Sequence, residues 1–285
     1  MYTTYETNDR FDHCRRPSKG RPESRRRNAR SFIGVFAATD LYARVRPLDG
    51  APDMLALTPV NLNVIAVVGA NCADIAIGAG ATLMEIASDK PDLVVHALVL
   101  TGGGTEREVE EKNAFITLCP SADVRLTVAD LPAGELGANY RWAKQVLADF
   151  KRDCEPDMVL GPHARDGDGD REVLATLIPT AFNQHLILGY EILAPDSDLL
   201  DPTLYLPIPT ETAHEKARLI TQCYQSQSRR RWFDDEAFLG LMRVRGVQCN
   251  ARYAEAFAVE KAVSGSSARR IDENGEKSIV TGGFE

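Results

Sequence analysis

Two stretches of the chain gather side chains that could do chemistry. In the first, Asn71-Cys72-Ala73-Asp74 offers an amide, a thiol and a carboxylate within four residues. In the second, Gly161-Pro-His-Ala-Arg-Asp166-Gly-Asp168-Gly-Asp170-Arg171 sets a histidine, three alternating acids and two arginines ahead of a helical pattern. Alternating carboxylates open a calcium loop in the same way, so a hard cation held by Asp74, Asp168, Asp170 and His163 is one chemistry to weigh. The distal Glu of that spacing is absent, and Arg171 adjoins the acids with a fixed charge and no lone pair to give. The other chemistry is acid and base work by Asp74 or Asp168, with the guanidinium of Arg171 binding an anionic group or oxyanion. Cys72 has no histidine near it in sequence to act as a base and reads as a packed, inert thiol.

Both stretches stand where strands should end. Residues 64–68 are apolar and β-branched apart from Ala66, which suits a strand buried on both faces of a parallel sheet. Ligands of open α/β sheets bind beyond the carboxyl ends of the strands, which makes 71–74 the active-site loop. A short helix follows, carrying Ile77, Leu83, Met84 and Ile86, with Gly78, Ala79, Gly80 and Ala81 at its start to permit close approach of sheet or ligand. A strand at 93–100 runs into Thr101-Gly-Gly-Gly-Thr105, and Thr105 with Glu108 predicts a capping box opening a helix to Leu118. Neither G-x-G-x-x-G nor a Walker pattern is present, which argues against a nucleotide loop. His96 reads as a strand histidine packed in the core. After a third strand at 124–128, the spacing of Trp142, Val146, Leu147 and Phe150 predicts a helix packed on the core and stopped by Pro156. A fourth strand at 157–160 leads into the second stretch, and the helix beyond it carries Val173, Leu174, Leu177, Ile178 and Phe182 on one face. The alternation of strands and helices predicts an α/β, Rossmann-like three-layer domain with a mostly parallel sheet.

Gly69-Ala-Asn-Cys-Ala-Asp-Ile-Ala-Ile-Gly-Ala-Gly-Ala-Thr-Leu83 resembles the opening motif of the zinc-dependent de-N-acetylases of the PIG-L/LmbE type, G/A-A-H-P-D-D-x-E-I-G-x-G-G-T-L. The second stretch resembles that family's later motif, P-S/H-x-x-D-x-H-x-D-H-R, and weaker similarities run on in order to about residue 263. The resemblance implies zinc ligands at Asn71, Asp74 and Arg171, a general base at Ala73 and an oxyanion stabiliser at Asp168. Of these, only Asp74 keeps the family's residue type. The expectation is therefore a divergent member with no metal cofactor, in which Arg171 forks onto Asp74 and Asp168 and fills the electrostatic space of the ion. Zinc or a hard divalent cation is the alternative. Asp74, Asp168 and Arg171 are the expected catalytic residues, and Asn71, Arg107, His163, Asp166 and Asp170 the expected substrate-binding ones. Arg107 stands where the family often carries a charged residue facing the pocket. The expected function is an enzyme acting on an amino-sugar or glycosylated small molecule without zinc-hydroxide chemistry. An inactive sugar-binding or partner-binding member is the second reading, and metal-dependent N-deacetylation with ligands such as His163 the third. A homo-oligomer is also implied.

With 285 residues, 44% hydrophobic, the chain can bury one sizeable core. A net charge of −8 argues against nucleic acid as a partner, and no apolar run is long enough to span a membrane, so a cytoplasmic location is expected. Six scattered cysteines without a C-x-x-C pair argue against a zinc ribbon or a disulfide scaffold. Residues 1–30 hold eight Arg and no hydrophobic period, which predicts a disordered basic arm. Residues 31–61 read as an irregular N-terminal extension, 62–263 as the α/β domain, and 264–285 as a flexible tail.

Overall fold

The computed structural model describes residues 62–195 and 197–262, together with two short strands near the end of the chain. The segments read as a basic arm and an irregular extension, 1–30 and 31–61, lie outside the described residues. Strands and helices alternate as β1 Val64–Gly69, α1 Asp74–Asp89, β2 Val94–Thr101, α2 Glu106–Leu118, β3 Asp123–Leu131, α3 Tyr140–Arg152, β4 Met158–Pro162, α4 Gly169–Ala181 and β5 Leu186–Tyr190. Then come β6 Leu204–Ile208, α5 Thr210–Cys223, α6 Asp235–Gln248 and β7 Tyr253–Lys261. These seven strands form one sheet in the order β3-β2-β1-β4-β5-β7-β6. The first five in sequence pair in parallel, and β7 runs antiparallel to both β5 and β6. Within the segment read as a tail, β8 Arg269–Ile271 and β9 Lys277–Ile279 pair with each other, and its other residues lie outside the described ones.

The apolar run of β1 serves two cores at once. Ile65 and Val67 face Leu83, Phe115 and Ile220 of α1, α2 and α5, while Ala66 and Val68 face Leu147, Leu174 and Ile178 of α3 and α4. A strand flanked by apolar layers on both sides must be apolar at every position, which is why β1 shows no alternation. Each fully buried Ile, Leu or Val here contributes about 1.5–3 kcal/mol. His96 is buried edge-on to Phe150, with ring centroids 6.4 Å apart. No helix among the described residues is long and apolar enough to cross a membrane.

Two elements differ from their sequence patterns. Instead of a short helix with small residues at its start, α1 runs 16 residues and places Gly78 to Ala81 in its interior. The small residues admit protein, not a ligand: a Cβ on Gly78 would overlap the Tyr190 ring, whose hydroxyl donates to Val68 O at 2.7 Å. At the same turn Glu255 of β7 accepts from Ala81 N–H (2.9 Å) and Thr82 N–H (2.7 Å), and Lys216 of α5 donates to Ile77 O (2.6 Å) and to Glu255 (2.6 Å). Ile77 C=O and Ala81 N–H are partners in a regular helix, so the buried ion pair bridges the ladder of α1. In α3, Leu147 is buried and Val146 and Phe150 pack against the core, but Trp142 turns outward at 46% exposure. The helix buries Ala143 in its place, a smaller residue one position on.

Candidate active site

Strand order reverses between β1 and β4, and the crevice beyond the carboxyl ends of such a pair is where open α/β sheets take ligands. Both chemically rich stretches meet there. From β1 the chain turns through Asn71, Cys72 and Ala73 into α1, with Ala73 in the left-handed region at φ 79°. A non-glycine residue held there costs on the order of 1–3 kcal/mol and persists where its surroundings over-determine it. Three hydrogen bonds do so: Asn71 N–H donates to Asp74 Oδ2 (2.8 Å), Asp74 N–H to Asn71 O (3.1 Å), and Ala73 N–H to Glu111 Oε2 (2.8 Å). From β4 the chain enters α4 through Asp168, the N-cap, whose carboxylate accepts from Asp170 N–H and Arg171 N–H at 3.0 Å each. The cap sets the first turn of α4 so that Arg171 points back across the crevice.

Arg171 is 5% exposed and gathers acids from both loops. Its Nε donates to Asp166 Oδ1 at 2.5 Å and its Nη2 to Ser197 Oγ at 3.1 Å. Nη1 lies 3.6 Å from Asp74 Oδ1 and 3.9 Å from Asp168 Oδ2. The guanidinium therefore faces Asp74 and Asp168 as the sequence suggests, but its hydrogen-bonded anchor is Asp166. Burial pushes the Asp74 carboxyl up to about 7, against the opposing pull of Arg171. Burial also raises Asp166, which Arg171 again opposes. Burial would lower the Arg171 pKa, and Asp74 and Asp166 outweigh it, so the guanidinium stays charged.

The other expected residues divide. His163 is buried beside this group: its Nδ1 accepts from Arg165 N–H at 3.3 Å, while its Nε2 has no partner and lies 3.9 Å from Asp166 Oδ2, also unpartnered. Asn71 is tied down, its Oδ1 accepting from the Thr101 hydroxyl at 2.8 Å. Asp170 turns away: Oδ2 accepts from Gly134 N–H (2.5 Å) and Oδ1 from Leu136 N–H (2.9 Å), so it braces the loop after β3. Arg107 stands apart from the acids, with Nη2 donating to Cys72 O at 2.5 Å, and lines a cleft of about 280 Å³ with Cys72, Thr101, Gly102, Asp130 and Leu131. The glycine turn shapes this cleft. Gly103 donates to Ala129 O at 2.8 Å so closely that a Cβ would overlap the β3 backbone.

Glu111 has a place in this arrangement that its sequence position did not suggest. It is fully buried behind the 71–74 loop, and burial pushes it up to about 7. It shares the helical spacing of Phe115 and Leu118, so an acid on the buried face of α2 was the available signal. Burial, with Glu111 adding to it, pushes the Cys72 thiol up to about 12, which keeps it protonated.

The donors present do not fit the zinc site that the resemblance implies. Asn71 Oδ1 is engaged by Thr101, and Arg171 places a cation of its own among the acids. No group of three His, Cys, Asp or Glu among the described residues is arranged to hold a metal ion.

Solved structures share this architecture. N,N'-diacetylchitobiose deacetylase from Pyrococcus horikoshii superposes with a TM-score of 0.54 at 16% identity, over 69% of this chain and 83% of its own. The A40926 pseudoaglycone deacetylase gives 0.56 at 15%, over 72% and 100%. The 4-carboxy-2-hydroxymuconate hydratase from Pseudomonas putida KT2440 gives 0.56 at 20%, over 73% and 100%. No family model and no curated protein matches the sequence. At these identities the likeness establishes the fold, a Rossmann-like α/β fold shared by deacetylases and a hydratase. Reaction and substrate must come from the site.

Proposed function

We propose that this chain is a divergent enzyme of the de-N-acetylase type that acts on an amino-sugar or glycosylated small molecule without metal. The observation that carries this reading is Arg171 Nη1 placed between Asp74 and Asp168 at the β1–β4 crevice. Nη1 makes no hydrogen bond among the described residues, so its N–H groups are available to an anionic or developing oxyanionic oxygen. Asp74, with its carboxyl near 7, can give or take a proton at neutral pH, where general acid and base groups work best. In the neighbouring cleft, Arg107 supplies donors and Asp130 acceptors, a pairing suited to sugar hydroxyls.

The test is turnover of a panel of N-acetylated amino sugars and glycosides by the full chain, in chelator. Product is expected from the wild type, with the rate falling about 10²–10⁴-fold in Asp74→Asn while ligand affinity is kept. Turnover that requires added zinc would overturn the proposal.

The tight burial of Asp74 and Arg171 favours a second reading, a ligand-binding member with no reaction to perform. That protein would bind a sugar in the cleft with no product formed, and Asp74→Asn would leave affinity unchanged.

A further inference from the structure

We infer that Arg171 is a built-in counter-cation, seated among Asp74, Asp166 and Asp168 in the place of a divalent ion, and that cutting back this one side chain converts the acids into a cation site. The inference rests on the metal-free reading above and deepens it.

Three carboxylates from two loops converge on one guanidinium, and Asp74, Asp166 and Arg171 are all buried. Of the three acids only Asp166 is hydrogen-bonded to the guanidinium, which also donates to Ser197 Oγ. Asp74 and Asp168 face Nη1 at 3.6 and 3.9 Å, beyond hydrogen-bond reach, with their other oxygens held by the backbone N–H groups of Asn71 and of Asp170 and Arg171. Buried carboxylates deprived of their counter-charge must protonate, unfold the site or take up another cation. The site also keeps donors in reserve. Asp166 Oδ2 and His163 Nε2 are buried, without partners and 3.9 Å apart. Without the guanidinium, the Asp74 and Asp168 oxygens need to close by about 1–2 Å on a cation at the Nη1 position to reach the roughly 2.0–2.6 Å of metal–oxygen bonds. A set dominated by carboxylate oxygen suits a hard divalent ion such as manganese or calcium. As it stands, the fixed charge of Arg171 repels that ion.

The experiment compares the full-length wild type, Arg171→Gly and Arg171→Gly/Asp74→Asn, each dialysed against manganese, calcium or zinc. Metal per chain and the melting temperature with and without cation are measured. Arg171→Gly is expected to hold about one cation more per chain than the wild type and to melt higher with cation present. The double variant should lose both effects. Should Arg171→Gly fail to fold, Arg171→Met keeps the packing of the stem. It is expected to melt below the wild type in chelator and to recover with the cation. An Arg171→Gly or Arg171→Met variant that folds normally and ignores all three cations would overturn the inference and leave the proposed function standing. Near-stoichiometric metal in the wild type, lost in Asp74→Asn, would overturn both.

Discussion

Asp74 and Glu111 are two acids that burial makes harder to ionise, and both hold the strained turn at Ala73. Burial raises both to about 7, from ordinary values of 3.8 and 4.5. A carboxyl whose folded pKa lies above its unfolded one stabilises fully below the unfolded value and loses that contribution as pH rises through the folded value. Stability should therefore fall between pH 4 and 7, by about 3–4 kcal/mol for each acid taken alone. Melting temperature measured across that window should drop in the wild type and flatten in Asp74→Asn and Glu111→Gln. Asp166 has the opposite importance, since it is the hydrogen-bonded anchor of Arg171. Asp166→Ala leaves a buried guanidinium without that anchor and should cost about 3–5 kcal/mol in urea unfolding. At this scale the sequence was half legible. The charges facing one another across the crevice followed from residue types at the two strand ends. Which of the alternating acids points inward did not, because the Asp168 cap and the loop after β3 decide that Asp166 meets Arg171 while Asp170 turns to Gly134 and Leu136.

Among the elements, β1 and α4 were readable because their partners are local or repetitive: an apolar run between two helical layers, and an apolar face behind an Asp cap. The extent of α1 was not, since Gly78 to Ala81 read as the start of a helix when taken alone. Their neighbours Tyr190 and Glu255 come from far along the chain. Two glycine substitutions separate these situations. Gly78→Ala drives a methyl into the Tyr190 ring and should cost about 1–3 kcal/mol through overpacking. Gly240, within α6, has open space around it, and Gly240→Ala should gain about 0.5–1 kcal/mol from helix propensity. Chemical denaturation of the two variants reads both signs. Trp142 teaches a related point. Helical spacing identified the helix, but spacing alone does not decide which flank of the apolar stripe meets the core, and Ala143 took the buried place.

Taken whole, the molecule pairs a fold common to deacetylases and a hydratase with a crevice in which Arg171 faces three acids. The cleft lined by Arg107 and Asp130 gives a test that is independent of chemistry at the acids. Arg107→Ala should weaken a bound sugar by about 10–100-fold in calorimetric titration, the loss of one or two charge-assisted hydrogen bonds. The ion pair set into the ladder of α1 bears on how the protein comes into being. Ala81 and Thr82 find their acceptor in Glu255, 174 and 173 positions later in the chain. At about 5–20 residues per second of synthesis, the middle of that helix waits roughly 10–35 s on the ribosome for its acceptor. Among the described elements, the bonds from α1 to Glu255 are thus among the last that synthesis allows, since β7 must be made before they can form. In native-state hydrogen exchange the amides of Ala81 and Thr82 should open only with global unfolding, and Glu255→Ala should release them into a faster, local exchange.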